Sequence, residues 1–275
     1  MNKLLLVSFL SLSTIVACQN NPSDQNSTNS SSPALSEPAS LAYTVINVFP
    51  HDTTSYTEGL IYHNGQLYES TGHTDSYPSS QSQFGTVDLK TGKISTKVHL
   101  DNSKYFGEGI CFLDGKVFQL TLDTPRVCFV YDAKTFRKLN EYPLNSQGWG
   151  LTTDGSSLIR SDGSSNLYYH DPANFKLIRI LGVTDNYGPI NNLNELEYID
   201  GYIYANKWQT NYIYKIDPAS GKAIARADFT QLVEETRHRY ETAEYLNGIA
   251  YDSAARKVYV TGKLWPNIYE IKFNN

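Results

Sequence analysis

Five times along this chain a short strand-turn-strand unit recurs: Tyr56 to Thr71, Phe106 to Thr121, Gly148 to Asp162, Leu193 to Asn206 and Leu246 to Val260. Matching positions lie roughly 41 to 52 residues apart, a spacing that belongs to propellers and solenoids and suits a four-stranded blade with one longer loop. Four of the units continue into two further segments, from Phe84, Cys128, Leu167 and Ile213, in which Tyr, Val, Ile and Phe alternate with polar residues and Asp-Gly, Thr-Gly or Asp-Pro marks the turns. Antiparallel strands read this way. The fifth unit ends after Ile268 to Phe273, one strand short, while Ala42 to Phe49 is a strand with no unit of its own. The expected fold is therefore all-β, a five-bladed β-propeller closed by an N-terminal strand. A helix-like insert, Thr230 to His238, separates the fourth and fifth units.

The first residues of the units would converge at one mouth of the central channel. They are Glu58, Glu108, Trp149, Asn194 with Glu195, and Asn247. Gly59, Gly109, Gly150 and Gly248 beside them read as close-packing positions.

Ahead of the repeats, Met1-Asn2-Lys3, the apolar run Leu4 to Val16 and Ala17-Cys18 read as an export signal over 1–17. Its apolar run is too brief to span a bilayer. Ile15-Val16-Ala17-Cys18 resembles a bacterial lipobox, so Cys18 is the expected lipidation site. The chain would then be lipid-anchored in the cell envelope, with the outer membrane favoured because Gln19 follows the cysteine. Residues 18–41, rich in Asn, Ser and Pro, hold too little apolar surface to offset the entropy of ordering and are expected to form a disordered tether. The folded domain would occupy 42–275, as a monomer. A net charge of −5 with no Lys/Arg cluster argues against nucleic acid as a partner. Cys111 and Cys128 fall two strands apart in a sequentially paired sheet, beyond disulfide reach, and should be reduced buried thiols. The six histidines show neither i,i+4 pairs nor cysteine partners, so no zinc site is indicated.

Eight motifs in order then carry a family resemblance: Tyr56-Thr57-Glu58-Gly59-Leu60, Glu69-Ser70-Thr71-Gly72, Tyr105-Phe106-Gly107-Glu108-Gly109, Gly148-Trp149-Gly150-Leu151, Ser161-Asp162-Gly163-Ser164-Ser165, Leu193-Asn194-Glu195-Leu196-Glu197-Tyr198, Ala205-Asn206-Lys207-Trp208-Gln209-Thr210 and Thr261-Gly262-Lys263-Leu264-Trp265-Pro266. Together they resemble the plant-type glutaminyl-peptide cyclotransferases, also found in bacteria. The resemblance implies a five-bladed propeller that converts N-terminal glutaminyl residues of peptides or proteins to pyroglutamyl with release of ammonia, without a metal or other cofactor. It implies Glu108 as the catalytic carboxylate, assisted by Asn194 and Lys263. The substrate would lie against Phe106, Trp149 and Trp208, with Glu58 near its amine. Two positions depart from the family pattern: Glu58 stands where Gln is common, and Leu122 where Trp is common. Two rival readings stay open, a metal-dependent propeller lactonase or hydrolase with calcium on Glu58, Asn194, Glu195 and Asn247, and a non-catalytic envelope propeller that binds a peptide or glycan.

Overall fold

The computed structural model describes residues 37–123 and 125–274. The expected leader over 1–17, the lipidation of Cys18 and the tether as far as residue 36 lie outside the described residues. Blade one pairs Thr57–His63, Gln66–Thr71, Gln83–Val87 and Ile94–His99 in chain order, and blade two pairs Gly107–Leu113, Lys116–Thr121, Val127–Asp132 and Lys138–Pro143. Blade three is Leu151–Thr153, Leu158–Arg160, Asn166–His170 and Leu177–Gly182; blade four is Leu193–Ile199, Tyr202–Lys207, Tyr212–Ile216 and Ala223–Asp228. Blade five joins Leu246–Asp252, Lys257–Gly262 and Asn267–Phe273 to the N-terminal strand Tyr43–Pro50, which runs antiparallel to Asn267–Phe273. The first strands of the five blades touch one another in a closed ring, which makes the molecule a five-bladed propeller.

Burial follows from that geometry. Inner strands such as Thr57–His63 and Gly107–Leu113 are covered on both faces and nearly all buried, whereas the outer strand Lys138–Pro143 is almost wholly exposed. The core lies between adjacent blades, where Phe84, Ile110, Phe118, Leu151 and Leu158 form one cluster. Three hairpins turn on Asn64-Gly65, Asp114-Gly115 and Asp200-Gly201, all with positive φ. That is the two-residue turn whose twist matches paired strands, and Asn, Asp and Gly tolerate it best.

Cys111 and Cys128 are both free and buried, as expected. The boundary of the tether needs correction. Ala39–Ser40 pairs in parallel with Ala225 and Arg226 on the outer edge of blade four, and Leu41 donates its amide to the Arg226 carbonyl at 3.0 Å. The edge strand of that blade offered unpaired backbone groups that the segment could satisfy. The insert is an α-helix, Thr230–Arg239, docked through Leu232, Val233 and Thr236.

Candidate functional site

Four inner strands carry one extra residue near their starting end. The pairing slips between Thr57 and Gly59, Gly107 and Ile110, Leu193 and Leu196, and Leu246 and Ile249. The bulged stretches contain Glu58, Glu108, Asn194 with Glu195, and Asn247. A bulge breaks the alternation of a strand and re-aims a side chain, which is why bulges recur beside functional sites. Trp149 precedes the short inner strand of blade three instead, with its amide on the Ser161 carbonyl at 3.1 Å and its carbonyl on the Gly109 amide at 2.8 Å. Second-strand side chains fix these stretches across blade boundaries: Ser70 Oγ donates to the Glu108 carbonyl at 2.5 Å, and Ser161 Oγ to the Asn194 carbonyl at 2.6 Å.

All seven non-lipid residues predicted for the site, Glu58, Phe106, Glu108, Trp149, Asn194, Trp208 and Lys263, line one cavity of about 390 Å³. Tyr56, Thr74, Leu122 and Gln147 complete the lining. Thr74 and Gln147 belong to no motif and were missed; Tyr56 stands in the first motif, two residues before Glu58, and could have been read from it. The aromatic walls interlock edge to face, with ring centroids 5.4 Å apart for Trp149 and Trp208 and 6.1 Å for Tyr56 and Phe106. The Trp149 indole N–H donates to Gln147 Oε1 at 3.1 Å.

Two glycines make room for these rings. A Cβ on Gly72 would stand 2.2 Å from the Phe106 ring, and one on Gly163, whose φ is +80°, would stand 2.7 Å from Trp149.

The charged groups form a chain. Lys263 Nζ pairs with Glu58 Oε1 and lies 4.4 Å from the Tyr56 ring centroid. Asn247 Nδ2 donates to Glu58 Oε2 at 3.3 Å and to the Thr57 carbonyl at 2.9 Å. Burial lifts the Glu108 carboxyl well above the usual carboxylate range, and the negative charge of Glu58 adds to that lift against the Lys263 ammonium. Burial raises Glu58 too, but Lys263 and a hydrogen bond from Glu108 oppose it. The two carboxyls are therefore coupled, with the like charge of Glu58 raising Glu108 and Lys263 favouring the ionised form of each. Glu108 Oε2 and Asn194 Oδ1 are buried without a protein partner, as groups that await a ligand would be.

Glu195 does not line the cavity. Its two oxygens accept the amides of Leu60 at 3.2 Å and Ile249 at 2.8 Å, in blades one and five. Glu197 accepts the Tyr251 amide at 2.8 Å and the Thr152 hydroxyl at 3.2 Å. Burial pushes Glu195 well above its ordinary value and Glu197 up to about 8. The four oxygen donors considered for calcium are thus divided. Glu195 is occupied with backbone amides, and Glu58 faces an ammonium. Among the described residues, no group of three or more His, Cys, Asp or Glu is placed to hold a metal.

The helix supports the mouth of the cavity. Arg237 Nε and Nη2 donate to the carbonyls of Ala243 and Glu244, each at 3.3 Å, and the Glu244 amide donates to the Lys263 carbonyl at 2.9 Å. The Glu244 carboxylate accepts the Tyr77 hydroxyl, and Tyr77 stacks on Tyr56 at 5.9 Å.

Residues 12–273 match the sequence family described as glutamine cyclotransferase. A glutaminyl-peptide cyclotransferase of Arabidopsis thaliana is 39% identical over 233 residues, covering 83% of this chain and 70% of the plant protein. The crystal structure of Myxococcus xanthus glutaminyl cyclase superposes with a TM-score of 0.78 at 30% identity, covering 86% of this chain and 99% of the other.

Proposed function

Given that the chain belongs to the glutamine cyclotransferase family, we propose that it cyclises N-terminal glutaminyl residues with Glu108 as proton shuttle and no metal in the reaction. The observation that carries this reading is the buried Glu108 carboxyl, its Oε2 without a protein partner, in a cavity walled by Phe106, Trp149 and Trp208. The neutral α-amine attacks its own side-chain amide carbon, forming the ring C–N bond. Glu108 takes a proton from that nitrogen and returns it to the amide nitrogen. The old C–N bond then breaks and ammonia leaves. A carboxyl whose pKa lies near the working pH suits both transfers.

The other residues divide the remaining work. Asn194 and the Lys263 ammonium face the same cavity and donate to the oxyanion of the tetrahedral intermediate, where one donor is worth about 3–4 kcal/mol. Glu58 balances Lys263 and receives the substrate amine. The reaction is already intramolecular, so the aromatic walls have mainly to hold a flexible side chain in its ring-closing shape. Leu122, smaller than the Trp common in the family, leaves that wall wider and favours bulkier residues after the glutamine. Lipid on Cys18 would hold the enzyme at the cell envelope, and the tether would let its domain reach soluble peptides that begin with glutamine.

Incubation with a Gln-initiated peptide should remove about 17 mass units, the mass of ammonia. Glu108→Gln should lower turnover by about 10²–10⁴-fold while peptide affinity persists. Full turnover by that variant would exclude the shuttle, and loss of wild-type activity on exhaustive chelation would exclude the metal-free reaction.

A further inference from the structure

Arg160 is a buried cation that the proposed reaction does not use. It ends the second strand of blade three and is 3% exposed. Its Nη1 donates to the Gln147 carbonyl at 2.6 Å and to Ser146 Oγ at 3.1 Å, and its Nε to His170 Nε2 at 3.4 Å. Among the described residues no carboxylate stands within ion-pair distance of it and no acceptor faces Nη2. Asp162, whose charge acts on it, instead accepts from the Ser164 amide at 3.1 Å and hydroxyl at 2.5 Å. Buried charges are ordinarily paired, since desolvation is costly without a counter-charge. The Tyr168 ring, 4.5 Å from the guanidinium carbon, offsets part of that cost.

The guanidinium borders a second cavity of about 260 Å³, separate from the first and lined by Arg160, Asn145, Ser146, Tyr168, His170 and Lys176 among others, with no acidic residue in its lining. His170 is neutral there: its Nδ1 donates to the Phe175 carbonyl at 3.0 Å, its Nε2 accepts from Arg160, and burial brings its pKa down to about 4. Ser146 Oγ accepts from Arg160, which leaves its own proton to donate. Every ionised group at the cavity is therefore positive.

We propose that this cavity binds a small oxyanion, a carboxylate or a phosphate group, on Arg160 Nη2 with Lys176 at the rim. With Nη1 and Nε already engaged, Nη2 is the donor left over, and a hydrogen bond from a guanidinium to such an oxygen is charge-assisted. The site also reaches the first cavity. Arg160 holds the Gln147 carbonyl, and the Gln147 side chain holds the Trp149 indole. Occupancy draws the guanidinium toward the anion and shifts that wall.

The full chain is titrated with sodium phosphate and with sodium acetate, each against sodium chloride at equal ionic strength, following melting temperature and tryptophan emission. At least one oxyanion should raise the melting temperature saturably where chloride does not, and the arm that responds identifies the group. Lys176→Glu, an exposed change that leaves the unliganded melting temperature alone, should weaken the response by about tenfold. Arg160→Gln should abolish it, and Trp149→Phe should remove the emission change but not the thermal one. Equal responses to all three salts, or a Lys176→Glu protein that responds like the wild type, would overturn the site. None of these readouts needs turnover, so they stand or fall independently of cyclisation.

Discussion

A carboxyl group that must accept a proton works only above its own pKa, and two neighbours of Glu108 set that value in opposite senses. Glu58 raises it as a like charge and Lys263 lowers it. Glu58→Gln removes the first influence and frees the second from its partner, so both changes favour ionised Glu108. The acid limb of kcat/KM should move to lower pH by about one unit or more, measurable as a pH profile; a limb that stays in place or rises would contradict the pairing. Size matters at this scale as much as charge. Gly72→Ala should displace the Phe106 ring that its Cβ would meet at 2.2 Å, raising KM for a Gln-peptide with less effect on kcat. An unchanged KM would show that Phe106 does not hold the substrate.

Among the elements, the strand Tyr43–Pro50 carries the closure of the ring, and His51 follows it directly. The imidazole is wholly buried, 2.8 Å from the Trp265 carbonyl and 3.0 Å from Glu69 Oε1, which also accepts from Thr57 Oγ1 at 2.7 Å. Burial by itself would lower the His51 pKa, but Glu69 outweighs it and the folded value lies above 6.5. The pair's stabilisation is therefore fully present below pH 6.5 and is lost as pH rises through the folded pKa. His51→Ala should cost about 3–5 kcal/mol and flatten that pH dependence, as urea melts across pH would show. The bulges belong to this scale too. Sequence places Glu58, Glu108 and Asn194 at strand starts, but simple alternation does not say that an extra residue turns them into the cavity; only pairing with Thr71, Thr121 and Lys207 defines the slip.

For the whole molecule, the repeated units, the Asp-Gly, Thr-Gly and Asp-Pro turns and the unpaired N-terminal strand were enough to draw a closed propeller, because alternation and turn chemistry are local. The order of blades then forces the strand starts together, which made Glu58, Glu108, Trp149 and Asn194 legible as cavity residues, whereas Glu195 and Asn247 fall outside the lining and Phe106, Trp208 and Lys263 were legible only through the family resemblance. The segment Ala39–Ser40 was not legible, because two small residues after Pro38 gain order only from an edge that blade four happens to leave open. A chain starting at residue 42 should lose that two-residue pairing and the contacts of Leu41 and remain folded. One starting at residue 51 loses the outer strand of blade five and should fail to give a cooperative melt; a normal melt would show that the ring closes without its strap.

The sequence by itself determined the number of blades, the strands that line the axis and the residue types at their ends, since each depends on neighbours a few positions away. Only the tertiary structure decided which charges act on the Glu108 carboxyl. Glu58 and Lys263 stand 205 positions apart and form a buried pair, and a pKa is set by charges and solvent exclusion in space, which no local pattern records.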